Sequence, residues 1–145
     1  MSAAPILIER TFDSDVSHVW LAITNKDQML QWYFEELEEF KPEVGFKTRF
    51  NVDCEGKVYT HCWTVTDVVP EQRIAYRWNY AGLAGDSIVT WNLEPKDNRT
   101  LLRIQHETVE PFPSDDPNFA REAGIAGWQY FINERLKEFL ESHES

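Results

Sequence analysis

The pattern of hydrophobic and polar positions changes character twice along this chain. Ile6–Phe12 is an apolar, β-branched run that predicts a first strand, ended by the polar cluster at 13–15. Apolar residues then recur at spacings of three and four, which predicts an amphipathic helix that closes near Asn25. A second short helix is predicted over about 27–32. The apolar stripe of the first helix is Val16, Val19, Trp20 and Ile23.

From Phe34 to about Glu110 the period becomes two, which is typical of strands. Alternating or β-branched runs occupy 46–52, 57–69, 74–80, 89–93 and 102–106, and turn-forming residues separate them. We also assign the acidic run 35–39 to an edge strand, where charge discourages pairing between sheets. Six strands after the two helices, joined by short turns, predict an antiparallel meander, because parallel pairs need a longer crossover.

The C-terminal quarter predicts one long helix. The Asp-Pro pair at 116–117 suits the N-cap and first helical position, and apolar residues then repeat at helical spacing to about Leu140. About 24 residues at ~1.5 Å each make this helix roughly 36 Å long. Gly124 and Gly127 place no side chains in its first half, so another backbone or a ligand can come close there. The predicted fold class is α+β, with a curved antiparallel sheet wrapped around the long helix that covers its apolar face.

Length and composition narrow the classes of function. A chain of 145 residues, 42 % hydrophobic and 14 % aromatic, predicts a single domain over 1–145 with a sizeable core. Its 25 acidic and 14 basic residues give a net charge of −11, which disfavours nucleic acid and anionic membrane surfaces as partners. The chain shows no signal peptide and no run of ~20 apolar residues for a membrane span, so we expect a cytoplasmic protein. Cys54 and Cys62 match no metal spacing and are interpreted as free, half-buried thiols.

Six short segments, spread over 5–141, carry a family resemblance. They are Phe12-Asp13-Ser14, Val19-Trp20, Trp32-Tyr33, the run 65–70 with Arg73, the run 100–106, and Gly127-Trp128. In this order they resemble the START-like (SRPBCC) helix-grip superfamily, which includes START lipid-transfer domains, polyketide cyclases and birch-pollen allergens. Within it, the chain is most similar to the branch called activator of heat-shock-protein-90 ATPase homologue-like. The resemblance implies a helix-grip fold with a cavity between the sheet and the C-terminal helix, in a superfamily that includes binding, transport and catalysis.

The co-chaperone that gives this branch its name has a separate N-terminal domain that holds its partner. Nothing in this chain corresponds to that domain, so we rank stimulation of a chaperone ATPase below ligand binding.

Candidate binding residues are large side chains, mostly aromatic, expected on the inner face of the sheet or on the helix above it. They either fill the core or line a cavity for a small molecule, and the sequence together with the resemblance favours the two about equally. The candidate ligand-binding set is Trp32, Phe50, Trp63, Tyr76, Trp78, Trp91, His106, Phe112, Trp128 and Phe131.

The histidines offer the best candidate acid–base chemistry. His106 and His61 share the alternation of inward residues, so each is either an acid–base group or, more commonly, a neutral histidine satisfied by hydrogen bonding. His18 and His143 are expected to be exposed. GxSxG, HExxH and phosphate-loop patterns are absent, so we expect no metal and no cofactor and assign no catalytic residue.

The leading hypothesis is a non-enzymatic domain that binds a small hydrophobic or amphipathic molecule, such as a lipid, a flavonoid or a polyketide-like aromatic. Two alternatives stay open. One is a stress-related co-chaperone-like protein of the heat-shock-protein-90 ATPase activator type, whose partner is a chaperone. The other is a cyclase- or hydrolase-type enzyme in which His106 or Arg77 aids proton transfer.

Overall fold

The computed structural model describes residues 5–54 and 56–142, and this part of the chain forms an antiparallel sheet covered by a C-terminal helix. Hydrogen bonds join the strands in the order β1-β6-β5-β4-β3-β2, so β1 and β2 are the edges and β1 pairs with the last strand. The predicted helix-grip fold is confirmed. The strands are β1 Ile6–Phe12, β2 Lys47–Cys54, β3 Lys57–Val69, β4 Arg73–Tyr80, β5 Asp86–Lys96 and β6 Arg99–Glu110.

Two short helices, α1 (Val16–Thr24) and α2 (Lys26–Trp32), follow β1 as predicted. Each begins at a side-chain cap that satisfies an otherwise unpaired backbone N–H. Asp15 accepts from the amide of the third following residue over 2.9 Å, and Asn25 does the same over 3.2 Å. The apolar stripe of α1 packs against the core, so capping and burial stabilise these helices.

The C-terminal helix, α3, spans 121–142 in three continuous stretches, of which the middle one has the wider π geometry. They are Arg121–Tyr130, Phe131–Leu136 and Lys137–Ser142. The prediction that the helix starts at 116–117 is wrong. Asp116 instead caps a separate 3₁₀ turn, Pro117–Phe119, and accepts from the Asn118 amide over 2.9 Å. Ala120 is extended between this turn and α3, so the capping signal was real but served a shorter element.

The predicted edge strand at 35–39 is also wrong, and in the described part of the chain five strands follow the two helices rather than six. Residues 35–39 lie in an irregular connection between α2 and β2. Leu37 and Phe40 are buried three positions apart, while most of the glutamates beside them are exposed. This spacing does not alternate, so the segment anchors the connection to the core rather than extending the sheet.

The core between the sheet and α3 is filled mainly by aromatic rings. Trp32 stacks on Tyr33 with 4.8 Å between ring centroids and meets Trp91 edge-on at 6.1 Å. Its indole N–H donates to the Ala22 carbonyl over 2.7 Å, and that of Trp91 donates to the Tyr76 hydroxyl over 3.1 Å. These two buried indoles are accommodated because their N–H groups find acceptors, whereas the buried indole N–H of Trp63 has no hydrogen-bond partner among the described residues. Within the described residues, no helix is long and apolar enough to cross a membrane.

Candidate ligand-binding pocket

A pocket of about 260 Å³ lies between the sheet and the first turn of α3. Its sheet side is formed by inward residues of the middle strands and of β1. Its opposite side is formed by α3 and by the covering loop, which we define as residues 111–120 between β6 and α3. The lining residues used below are Ile6, Trp78, Tyr80, Ser87, His106, Thr108, Phe112, Asn118, Phe119, Arg121 and Gly124.

The ten residues predicted from sequence to bind a ligand divide into two groups. Trp78, His106 and Phe112 line the pocket. The others pack in the aromatic core and are Trp32, Phe50, Trp63, Tyr76, Trp91, Trp128 and Phe131. Most of the space under the helix is thus filled, and the pocket is confined to the N-terminal end of α3.

Several lining residues were not predicted. Tyr80 continues the inward alternation of Trp78 along β4, so extending that pattern by one step identifies it. Ser87 likewise precedes Val89 and Trp91 on the inward face of β5, but its small polar side chain gave no aromatic signal. Phe119 was not predicted as a lining residue because its segment was assigned to the long helix rather than to the separate 3₁₀ turn.

A chain of three hydrogen bonds runs from α3 into the sheet beside this pocket. The Trp128 indole N–H donates to Nδ1 of His106 over 3.0 Å. Nε2 of His106 lies 2.8 Å from Oγ of Ser87, which donates to the Trp78 carbonyl over 2.6 Å. An indole nitrogen only donates, so Nδ1 must be the unprotonated acceptor and Nε2 must carry the proton. The geometry fixes the His106 tautomer.

His106 is therefore a neutral histidine with both ring nitrogens engaged. Burial lowers the pKa of its imidazole to about 4, because the charged form is poorly solvated there. Since Nε2–H donates to Ser87, the imidazole is not placed to take a proton from that hydroxyl. The pair has the spacing of a nucleophile and its base, but the proton lies on the wrong atom for that chemistry.

Tyr80 and Trp78 form the second polar contact of the pocket. The Trp78 indole N–H donates to the Tyr80 hydroxyl over 2.9 Å. Burial raises the pKa of the Tyr80 phenol to about 12, since the phenolate would be poorly solvated. The hydroxyl is therefore a protonated, neutral group at physiological pH.

The covering loop is held to the sheet by aromatic contacts. Phe112 stacks on Phe119 with 5.2 Å between centroids, and both rings contact Tyr80, at 5.6 and 5.1 Å. Gly85, with a φ of +112°, lets this packing form, because a Cβ there would lie 2.9 Å from the Phe112 Cα. These contacts close the outer side of the pocket with apolar surface.

A polar cluster fastens the same loop to β3. Oδ2 of Asp116 accepts from the Tyr59 hydroxyl over 2.7 Å and from Nζ of Lys57 over 2.9 Å. Asn118 donates its side-chain amide to the Tyr59 hydroxyl over 2.9 Å. The Tyr59 and Lys57 donors lower the pKa of the Asp116 carboxyl to about 2. The cluster therefore stays charged and connected across the physiological pH range.

The other groups singled out for chemistry lie away from the pocket. His61 is buried, with the pKa of its imidazole lowered to about 4 by burial, and its Nδ1 lies 3.2 Å from the Tyr59 carbonyl oxygen. Arg77 is exposed and pairs with Asp86. Both cysteines are free and half-buried, as predicted.

Two further predictions concern histidines and metals. His18 is half-buried rather than exposed, and His143 lies outside the described residues. In the part of the chain that the structure describes, no group of three or more His, Cys, Asp or Glu side chains could hold a metal ion.

Comparison with protein families matches residues 13–141 to the family described as activator of Hsp90 ATPase homolog 1-like protein. The chain belongs to this family. Comparison with curated proteins finds no match. The family resemblance proposed from the six sequence segments is confirmed.

Solved structures similar to this family member share its fold over nearly the whole chain. A Chromobacterium violaceum protein has a TM-score of 0.79 at 24 % identity, covering 95 % of this chain and 97 % of its own. A Mesorhizobium loti protein has a TM-score of 0.75 at 27 % identity, with 97 % and 99 % covered. DynU16, from the dynemicin biosynthetic locus, has a TM-score of 0.75 at 24 % identity, covering 97 % of this chain and 48 % of its own.

Proposed function

We propose that this protein binds a small, largely apolar molecule in the pocket between the sheet and the first turn of α3. The observation that carries the proposal is the combination of aromatic walls with few polar groups, most of them already hydrogen-bonded within the protein. Such a lining is typical of small-molecule sites, where apolar surface supplies affinity and a few polar atoms fix orientation.

The size of the pocket limits the ligand. An apolar cavity of about 150 Å³ binds benzene, so about 260 Å³ suits one aromatic ring with substituents. Long-chain lipids and extended flavonoids exceed this volume unless the covering loop moves. We therefore narrow the ligand class expected from sequence to compact aromatic or alicyclic molecules.

Binding is tested by titrating small aromatic compounds while recording tryptophan fluorescence and the melting temperature. Trp78 lines the pocket, so a bound ring should change its emission, and a ligand specific for the folded state should raise the melting temperature. Gly124→Leu places a side chain in the pocket lining, where its Cβ would lie 3.0 Å from Cδ1 of Ile6, and should abolish both effects. Gly127→Leu is the matched control on the same helix, because a Cβ there meets nothing within 4 Å.

A binding role is favoured over the enzyme alternative because of the proton positions described above. His106 is neutral with both nitrogens engaged, and Arg77 lies outside the pocket lining. The proposal fails if no compound alters fluorescence or stability, or if Gly124→Leu responds as the original protein does. The co-chaperone alternative stays a prediction, tested by adding the protein to a heat-shock-protein-90 ATPase assay.

A further inference from the structure

The Tyr80 side chain is half-buried, and its hydroxyl proton has no acceptor among the described residues. Its oxygen accepts from the Trp78 indole over 2.9 Å, which uses a lone pair and leaves the O–H available. Both residues line the pocket. When a ligand displaces water from the pocket, a hydroxyl proton that faces only apolar atoms is unfavourable. An acceptor atom on the bound molecule would remove this cost.

Most other polar groups of the pocket lining are already paired. Both nitrogens of His106 are engaged, and the Ser87 hydroxyl donates to a backbone carbonyl. Thr108 is half-buried and also lines a neighbouring surface pocket beside the covering loop. Arg121 is exposed and donates to the Pro5 carbonyl over 3.3 Å. Tyr80 therefore combines an available O–H with a direct hydrogen bond to the Trp78 indole of the same lining.

We propose that the Tyr80 hydroxyl determines ligand specificity, and that the preferred ligand is a neutral, flat aromatic molecule with a carbonyl or similar acceptor oxygen beside the ring. The inference rests on the proposed function and specifies its ligand class. The ring would pack against Trp78 and the Phe112–Phe119 pair, with its acceptor directed to Tyr80. Neutrality follows because burying a charge without a partner is costly.

Two probes of nearly equal shape test this proposal. Acetophenone carries a carbonyl oxygen, and α-methylstyrene replaces that oxygen with a methylene group that accepts no hydrogen bond. Their dissociation constants are measured on the original protein, on Tyr80→Phe and on Tyr130→Phe. For each variant we take the ratio of the two dissociation constants. Because the difference in hydrophobicity between the probes affects every ratio equally, it cancels when the ratios are compared between variants.

We expect Tyr80→Phe to lower the preference for the ketone about 3- to 10-fold, the range for one neutral hydrogen bond. Tyr130→Phe, which removes an exposed phenolic hydroxyl of α3 outside the pocket lining, should leave the preference unchanged. If both probes bind and Tyr80→Phe keeps the original ratio, the inference is overturned while the proposed function stands. If neither probe nor any other small aromatic binds, the proposed function is overturned as well.

A measurement on the unmodified protein covers the case in which Tyr80→Phe does not fold. The indole N–H of Trp78 donates to the Tyr80 oxygen, so the NMR resonance of this indole proton reports on that hydroxyl. We expect saturating acetophenone to shift this resonance more than saturating α-methylstyrene does. Equal shifts from the two probes would overturn the proposal.

Discussion

The indole N–H of Trp128 on α3 donates to Nδ1 of His106 on β6 over 3.0 Å, and this bond fixes both the tautomer and the charge of the histidine. It also connects the long helix to the sheet at the edge of the pocket. Protonation of His106 would place two N–H donors against each other, so the imidazole resists acid as long as the fold persists.

The first prediction concerns stability against pH. The pKa values of His106 and His61 are lowered from about 6.5 to about 4 in the folded state. Between pH 6.5 and 4 the unfolded chain therefore binds protons at these sites that the folded protein does not. The free energy of unfolding should fall as the pH falls through this window, by about 3 kcal/mol for each histidine. Urea unfolding at pH 7.5, 5.5 and 4.5 measures the loss.

The variant His106→Gln tests how much of this pH dependence of stability comes from His106. Glutamine keeps one acceptor and one donor but does not titrate, so the variant should be less stable near pH 7 yet lose less stability on acidification. An unchanged slope between pH 6.5 and 4 would contradict the assigned charge state of His106.

A second prediction concerns Ser87, which is fully buried and accepts the His106 N–H. Ser87→Ala leaves that N–H without its acceptor, so we expect a loss of about 1–3 kcal/mol in the free energy of unfolding. Ser17→Ala is the control, because the Ser17 hydroxyl is exposed and bonds to Glu71 over 2.8 Å. It should change stability by less than about 0.5 kcal/mol. Equal effects of the two substitutions would show that the buried chain is not continuous.

A third prediction uses two glycines in the β4–β5 turn. Gly82 and Gly85 both have positive φ, but a Cβ on Gly82 meets nothing within 4 Å whereas one on Gly85 meets Phe112. Gly82→Ala should lower the free energy of unfolding by about 1–2 kcal/mol, because a residue with a Cβ is strained at positive φ. Gly85→Ala should cost more and displace Phe112, seen as faster amide hydrogen exchange within residues 111–120. If both variants exchange alike there, the Gly85–Phe112 contact does not hold the covering loop.

Residue pattern predicted the fold better than it predicted the site, for identifiable physical reasons. Alternation fixes which face of a strand is buried, so the inward positions of Trp78 and His106 followed from sequence. It does not reveal how much space remains beneath a helix, because that depends on how rings from distant elements stack. The acidic run 35–39 was misassigned because its many charges are typical of an edge strand. In the structure Leu37 and Phe40 are buried three positions apart, a spacing that a strand does not give. Tyr80 was left out of the candidate set although it continues the inward alternation of Trp78, because alternation does not show which inward residues border open space.

The last prediction concerns the cluster that fastens the covering loop to β3. Asp116→Ala removes the acceptor for both Tyr59 and Lys57 and the cap of the 3₁₀ turn, so the loop should open more often. We expect several-fold faster amide exchange at Phe119 and Ala120, with the central strands unaffected. Asp115→Ala is the matched control, since no hydrogen bond or ion pair of the Asp115 side chain occurs among the described residues.

Ligand kinetics would then report on the role of the loop. If residues 111–120 cover the entrance, Asp116→Ala should raise the association and dissociation rates of a bound aromatic probe together and change its affinity less than either rate. A change in the dissociation rate alone would instead indicate that the cluster contacts the ligand. Unaltered exchange and unaltered rates would mean that the aromatic contacts of Phe112 and Phe119 suffice to hold the loop, and that entry occurs elsewhere.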